Sequence, residues 1–190
     1  MTIDQKETAL RLVPKSLPSI HAEILVPDTW NARESEANNS YAFTMSPDQL
    51  AKTPTVILDK RTIITSSKDA NKTLFQVGAI DNLSALYKAG VFDYAENLMK
   101  SPFMKLRGPL IRRRDTNNRF LFTVGGLFET GGTPMGNVAF KPKMNYMEVT
   151  GNERTDKLYI VNFETLVKNW GQYEADAKTL VQSVKLDPTF

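Results

Sequence analysis

From Met144 to Asp187 the chain carries two hydrophobic periods in succession. Met144 to Val149 and Leu158 to Leu166 alternate as strands do, with Gly151-Asn152 at the turn between them, and their closeness in sequence favours antiparallel pairing. Beyond them Trp170, Tyr173, Ala177, Leu180, Val181 and Val184 recur three and four residues apart, which places one apolar stripe on a single helix face. A sheet covered by a helix is the expected closing unit.

Upstream, the same reading gives strands at Ile20 to Val26 and Tyr41 to Met45 and a Val, Ile and Thr-rich β stretch at Thr55 to Thr65. Pro27-Asp28 stops the first of these, Ser46-Pro47-Asp48 marks a turn, and Asn31 to Ser40 and Ser66 to Lys72 read as polar loops. From Asp81 the period changes. Leu83, Leu86, Tyr87, Val91, Tyr94, Ala95 and Leu98 fall at helical spacing, with Gly90 breaking the run into two pieces. Leu110 to Arg114 and Arg119 to Phe128, around Asp115 to Asn118, read as a hairpin, and a glycine-rich loop from Gly131 to Gly136 leads through Val138 to Phe140 into the closing unit. The expected class is α+β, a mostly antiparallel sheet with helices packed on it in an α/β/α-like sandwich. Residues 1–19, polar and carrying Pro14 and Pro18, read as a tail or short helix; residues 20–190 read as one domain.

Composition narrows the chemistry. With 190 residues, 41% hydrophobic and 24% charged, the chain has the make-up of a soluble globular domain. No cysteine is present, which removes disulfides, thiolate nucleophiles, iron–sulfur ligation and cysteine zinc sites. No apolar run reaches the length of a bilayer span, and Met1 to Lys15 lacks the apolar centre of a secretory signal. An intact chain is therefore expected in the cytoplasm, and one that has lost a signal in an exported or organellar lumenal space. The net charge of +3, from 24 basic and 21 acidic residues, does not demand a strongly acidic partner.

Candidate chemistry is sparse. His21 is the single histidine; on a strand it would share a face with Glu23, a geometry two metal ligands could use, yet Leu25 lies on that face and no further ligand falls at a recognisable spacing. Gly125, Gly126, Gly131, Gly132 and Gly136 lack the lysine and hydroxyl of a phosphate loop and sit between strands. Carboxylates such as Glu96, Glu129, Glu148 and Glu164 are plentiful, but acid/base pairing needs a set separation that sequence does not give. The densest charge is Lys105, Arg107, Arg112, Arg113 and Arg114. On a strand Arg112 and Arg114 point one way and Arg113 the other, which suits local salt bridges better than one nucleic-acid face. Trp30 and Trp170 stand where a large ring can close one end of a sheet–helix core. No catalytic residue, cofactor or metal ligand is assigned.

The order of these signals resembles the PsbP-like fold, shared by PsbP subunits of photosystem II, Ran-binding Mog-type proteins and small bacterial relatives. The resemblance rests on Val26-Pro27-Asp28-Thr29-Trp30, on Tyr41-Ala42-Phe43, on Lys157-Leu158-Tyr159-Ile160-Val161, on Asn169-Trp170, and on Val181 to Leu186, where Val184 stands in the place of a common Phe. It implies a non-enzymatic protein that binds another protein, as an assembly factor, extrinsic subunit or adaptor; fold alone does not fix which. Two readings follow. The first is a protein-binding or assembly module that uses an exposed sheet face or the loops at 31–40 and 129–137, with Arg107, Arg112, Arg113 and Arg114 as contacts for an acidic protein surface. The second is a small-ligand or metal-binding protein, or a hydrolytic enzyme, with a pocket between helix and sheet near His21. Nucleic acid ranks behind both.

Overall fold

The structure, a computed structural model, describes residues 11–28, 30–36, 60–65, 73–131, 142–186 and 189. Along the chain β1 (Leu12–Leu17), β2 (Ala22–Pro27), β3 (Asn31–Glu36), β4 (Lys60–Thr65) and β5 (Leu74–Ile80) come first, followed by a helical turn α1 (Leu83–Leu86) and helix α2 (Val91–Met99). Then come β6 (Met104–Leu106), β7 (Ile111–Arg114), β8 (Leu121–Thr130), β9 (Lys143–Asn152), β10 (Lys157–Leu166), helix α3 (Trp170–Gln182) and β11 (Lys185–Leu186). The expected strand at 41–45, the turn at 46–48, the loop at 66–72 and the glycine loop from 132 onward lie outside the described residues, as do residues 55–59 of the β stretch.

Among the described residues, eight strands form one antiparallel sheet in the order β3-β4-β5-β10-β9-β8-β6, with β7 also paired to β8. The pair read from the alternating runs is its middle: β9 and β10 are in register from Lys157 against Asn152 to Leu166 against Lys143. A smaller antiparallel sheet, β1-β2-β11, lies apart from it. Because side chains alternate along a strand, the large sheet has two apolar faces. Phe75, Val77, Tyr146, Tyr159, Val161 and Phe163 pack with Ile20, Ile24, Val26 and Trp30 and with Ala177, Leu180 and Val181 of α3. Ile80, Phe122, Val124, Met147, Val149, Leu158 and Ile160 pack on the other side with Val91, Ala95 and Met99 of α2. The layering is the α+β sandwich expected, with one layer built jointly from α3 and the small sheet.

Several boundaries move, each for a physical reason. Residues 12–17, expected within a tail or short helix, are strand β1; Pro14 is tolerated because β1 is an edge of the small sheet. The strand expected from Ile20 starts at Ala22, because Pro18–Ile20 form a 3-10 turn closed by His21 in the left-handed region at φ 52°. Asn31 to Glu36, expected as loop, is strand β3, held by pairing with β4. Gly90 does break the helical run, at φ 92°, a backbone conformation that suits glycine.

The turn expected at Gly151-Asn152 lies further on. Both residues are still in β9, and the reversal spans Glu153 to Asp156, where Asp156 takes φ 57° and the Asn152 side-chain oxygen accepts from the N–H groups of Arg154 and Thr155. Gly151 serves close approach instead of turning. A Cβ there would come within 2.3 Å of the buried Phe122 ring and 2.9 Å of Val91. Gly151→Ala is therefore expected to destabilise the fold by about 1–3 kcal/mol, measured by urea denaturation, and Phe122→Leu in the same chain is expected to recover part of the loss. An unchanged midpoint would contradict the packing described.

Candidate functional site

The alternation along β7 divides the arginine cluster as its sequence implies. Arg112 faces α2 and meets Glu96 through two hydrogen bonds, Nε to Oε1 at 2.8 Å and an Nη to Oε2 at 3.0 Å. These bonds hold the Glu96 carboxyl below the usual carboxylate range, against the opposing effect of burial. Arg114, on the same side, lies 4.7 Å from the Phe92 ring centre and bonds Glu153 at 2.5 Å. Arg113 points to the opposite face, where it donates to Glu148 Oε2 at 2.7 Å. Arg107, just past β6, pairs with Glu129. The four do not form one continuous cationic face, but each keeps 39% to 56% of its side chain exposed. A guanidinium has five N–H donors, and one carboxylate takes at most two, so donors remain for a further acceptor.

Beside Arg107 the sheet edge carries uncovered apolar side chains. Phe103 is 58% exposed and Leu106 42% exposed, the largest exposures among the described large hydrophobic residues. β6 is only three residues long, so β8 is edged by two short pieces, β6 and β7.

A second feature is a cleft of about 460 Å³ between the sheet and the C-terminal end of α3. Arg113, Thr123, Glu148, Thr150, Tyr159 and Val161 line it from the sheet, Val181 and Gln182 from α3 and Leu186 from β11. Val184 lies between these two, because the helix ends at Gln182, short of the Val184 that its apolar spacing includes. Arg113, Thr123, Thr150 and Tyr159 are register partners on β7, β8, β9 and β10, so they form one straight cross-strand row from the sheet edge inward. Tyr146 lies beside it, donating to Glu148 Oε1 at 3.4 Å, and burial together with the Glu148 charge raises its phenol above the ordinary value. It is therefore a hydroxyl donor at neutral pH, not a base.

The other face holds a buried polar row beyond α2: Gln76, Asn145, Asn162 and Glu164. Asn162 donates to Asn145 Oδ1 at 3.1 Å, Asn145 to Thr130 at 2.8 Å, and Lys143 is paired with Glu164. Burial pushes the Glu164 carboxyl above its usual range, with Lys143 acting against it.

His21 and Glu23, expected to share a strand face, do not. His21 sits before the strand in a left-handed turn, while Glu23 is in β2, 3.5 Å from Lys185. Among the described residues, no group of three or more His, Asp or Glu side chains is placed to hold a metal ion. Gly125 and Gly126 lie within β8; a Cβ at Gly125 would sit 2.3 Å from the Met147 carbonyl oxygen, so close strand packing explains that glycine. Among the described residues, no helix is long and apolar enough to cross a membrane.

The sequence names Arg113 and Glu148 without bringing them together. The pocket it leads one to expect between helix and sheet near His21 is lined instead by Arg113 and Glu148, with His21 not among its described lining residues. The available signal was the polar residue inside an apolar run: Glu148 in Met144 to Val149, and Asn162 and Glu164 in Leu158 to Leu166.

The architecture is that of a small α+β domain, and its fold is PsbP-like. No family model matches the chain, and no curated protein does. Among solved structures it is similar to cyanobacterial PsbP (CyanoP) from Synechocystis sp. PCC 6803, at 14% identity, covering 98% of each chain with a TM-score of 0.53. It also matches the Ran-binding protein Mog1p of Saccharomyces cerevisiae, at 10% identity over 94% of this chain and 96% of that one, TM-score 0.48. A Pseudomonas aeruginosa protein of unknown function matches at 15% identity over 93% and 98%, TM-score 0.42.

Proposed function

We propose that this chain is a non-catalytic protein-binding module of PsbP-like type, and that a partner protein docks along the β6–β7 edge of the large sheet. The observation that carries this reading is the exposure of Phe103 and Leu106 beside Arg107 and the β7 arginines. Aromatic side chains and guanidinium groups are among the residue types enriched at protein interfaces, and Leu106 extends the apolar surface beside them. Arg112 and Arg114 are held in place by Glu96 and Glu153 yet keep free donors. The partner surface that complements this edge combines apolar side chains with carboxylates, while Arg113 lies on the opposite face with Glu148 and is not part of this surface. The resemblance to proteins that act as extrinsic subunits and adaptors points the same way.

Affinity capture from the source cells, followed by mass spectrometry, tests this with the wild-type chain beside Phe103→Ala/Leu106→Ser and Arg112→Glu/Arg114→Glu variants. The wild type is expected to retain a defined protein. Truncating the apolar pair is expected to weaken a purified complex by about 2 kcal/mol or more, while stability changes little because both side chains are exposed. A protein retained equally by all variants would remove this surface from the reading. Recovery of no protein, with a metabolite or metal bound to the purified chain, would overturn the reading itself.

A further inference from the structure

We propose that the cleft between the sheet and the C-terminal end of α3 binds a small amphipathic carboxylate: an aliphatic chain of medium length ending in one anionic group. The volume of about 460 Å³ falls within the roughly 300–1,000 Å³ of small-molecule sites. The lining is sorted by position. Arg113, Thr123, Thr150 and Tyr159 lie in register across four neighbouring strands, so the floor runs about 14 Å at a strand spacing of ~4.8 Å. Its outer end is the guanidinium. Its inner end is apolar, formed by Tyr159 and Val161 beneath Val181, Val184 and Leu186.

The hydrogen-bond inventory decides the sign of the head group. Among the described residues, Glu148 is the one carboxylate in the lining; its side chain is only 9% exposed, and its two oxygens already accept from Arg113 and Tyr146. Arg113 spends one N–H on Glu148 and is 56% exposed, so most of its five donors remain open. Thr123 and Thr150 share one hydrogen bond at 3.0 Å, which leaves one hydroxyl proton between them. Gln182 adds a carboxamide with an acceptor as well as donors, so the surplus of donors rests on Arg113 and the threonine pair, and an anion satisfies these while an ammonium group does not. One negative charge fits better than two, because Glu148 stays beside the guanidinium and neutralises part of it. Carboxylate on Arg113 and alkyl chain on the valine and leucine side chains is the arrangement the row dictates.

Octanoate is the probe. Titrated into the isotope-labelled full chain, it is expected to give saturable NMR shifts at Thr123, Thr150, Val181 and Val184, with octanol and octylamine binding at least tenfold more weakly. Arg113→Gln is expected to weaken octanoate about tenfold or more while leaving octanol unchanged. Since that variant also removes a partner from Glu148, Val184→Phe provides an independent arm: it fills the apolar end with the ion pair intact and is expected to abolish binding of both octanoate and octanol. Failure of octanoate to saturate at millimolar concentration would overturn the proposal. So would equal affinity for octanol, or undiminished octanoate binding by Val184→Phe. None of these outcomes bears on docking at the β6–β7 edge.

Discussion

Phe163→Ala is expected to cost about 3–5 kcal/mol, a large share of the stability of a domain of ordinary size, and to lower Tm by roughly 10 °C. Phe163 is fully buried in β10, at the centre of the large sheet. Its ring lies 6.1 Å from Trp30 and 6.0 Å from Tyr173, and its strand neighbours are Phe75 and Tyr146. One side chain thus joins the segment after β2, the middle strands and the first half of α3. Those neighbours belong to different elements that cannot all move inward, so truncation leaves a cavity. Phe103→Ala removes a ring of the same size from the surface and is expected to leave the unfolding free energy from urea denaturation within about 0.5 kcal/mol of the wild type. A loss below about 1 kcal/mol for Phe163→Ala would contradict its central place.

The parts of the fold legible in the sequence are those where burial is one-sided or the period is long. The α3 stripe is such a case: Ala177, Leu180 and Val181 are buried and Trp170 and Tyr173 half-buried, as their spacing requires. The Gly90 break and the β7–β8 hairpin are equally local signals. Strand β5 went unread because both its faces are covered. Phe75, Val77 and Ala79 serve one core and Ile80 the other, while Gln76 and Gly78 interrupt the run, so no alternation appears. β3 has the opposite difficulty. Its sequence, Asn-Ala-Arg-Glu-Ser-Glu, is almost wholly polar, and only its register with β4 makes it a strand. β6 and β11, at three and two residues, are set by neighbouring strands and not by propensity.

The site was less legible than the fold. Alternation correctly parts Arg113 from Arg112 and Arg114, which a charge count cannot do. What no local pattern reports is register between distant strands. Arg113 and Thr123 are close in sequence, but Thr150 and Tyr159 join their row only because β8, β9 and β10 pair at these particular positions. The proposed ligand site is therefore a property of topology, whereas the docking edge is a property of exposed residues on one short segment.

Lys143→Met is expected to be among the most damaging single changes at neutral pH, costing about 3–5 kcal/mol, and to be rescued by acid. Glu164 is 2% exposed, and Lys143 is its ion-pair partner. Burial already raises the Glu164 carboxyl above its ordinary value, so the folded state holds a proton more tightly than the unfolded chain. The sign follows from linkage: Glu164 contributes its full stability below the unfolded carboxylate value, about 4.3, and loses it as pH rises through the higher folded value. Removing Lys143 takes away the charge that opposes burial, so the folded value climbs further and the penalty at pH 7 grows. Toward pH 4 the carboxyl is neutral in both states, and the variant approaches the wild type. A protonated Oε2 also becomes a donor in a row where Gln76 Oε1 and Asn162 Oδ1 lack a hydrogen-bond partner. Urea denaturation between pH 4 and 8 measures this difference directly. Lys143→Met/Glu164→Gln is expected to recover most of the neutral-pH loss and to flatten the difference from wild type above the folded value. A penalty for Lys143→Met equal at pH 4 and pH 7 would mean that packing of the lysine stem, and not the buried carboxylate, carries the effect.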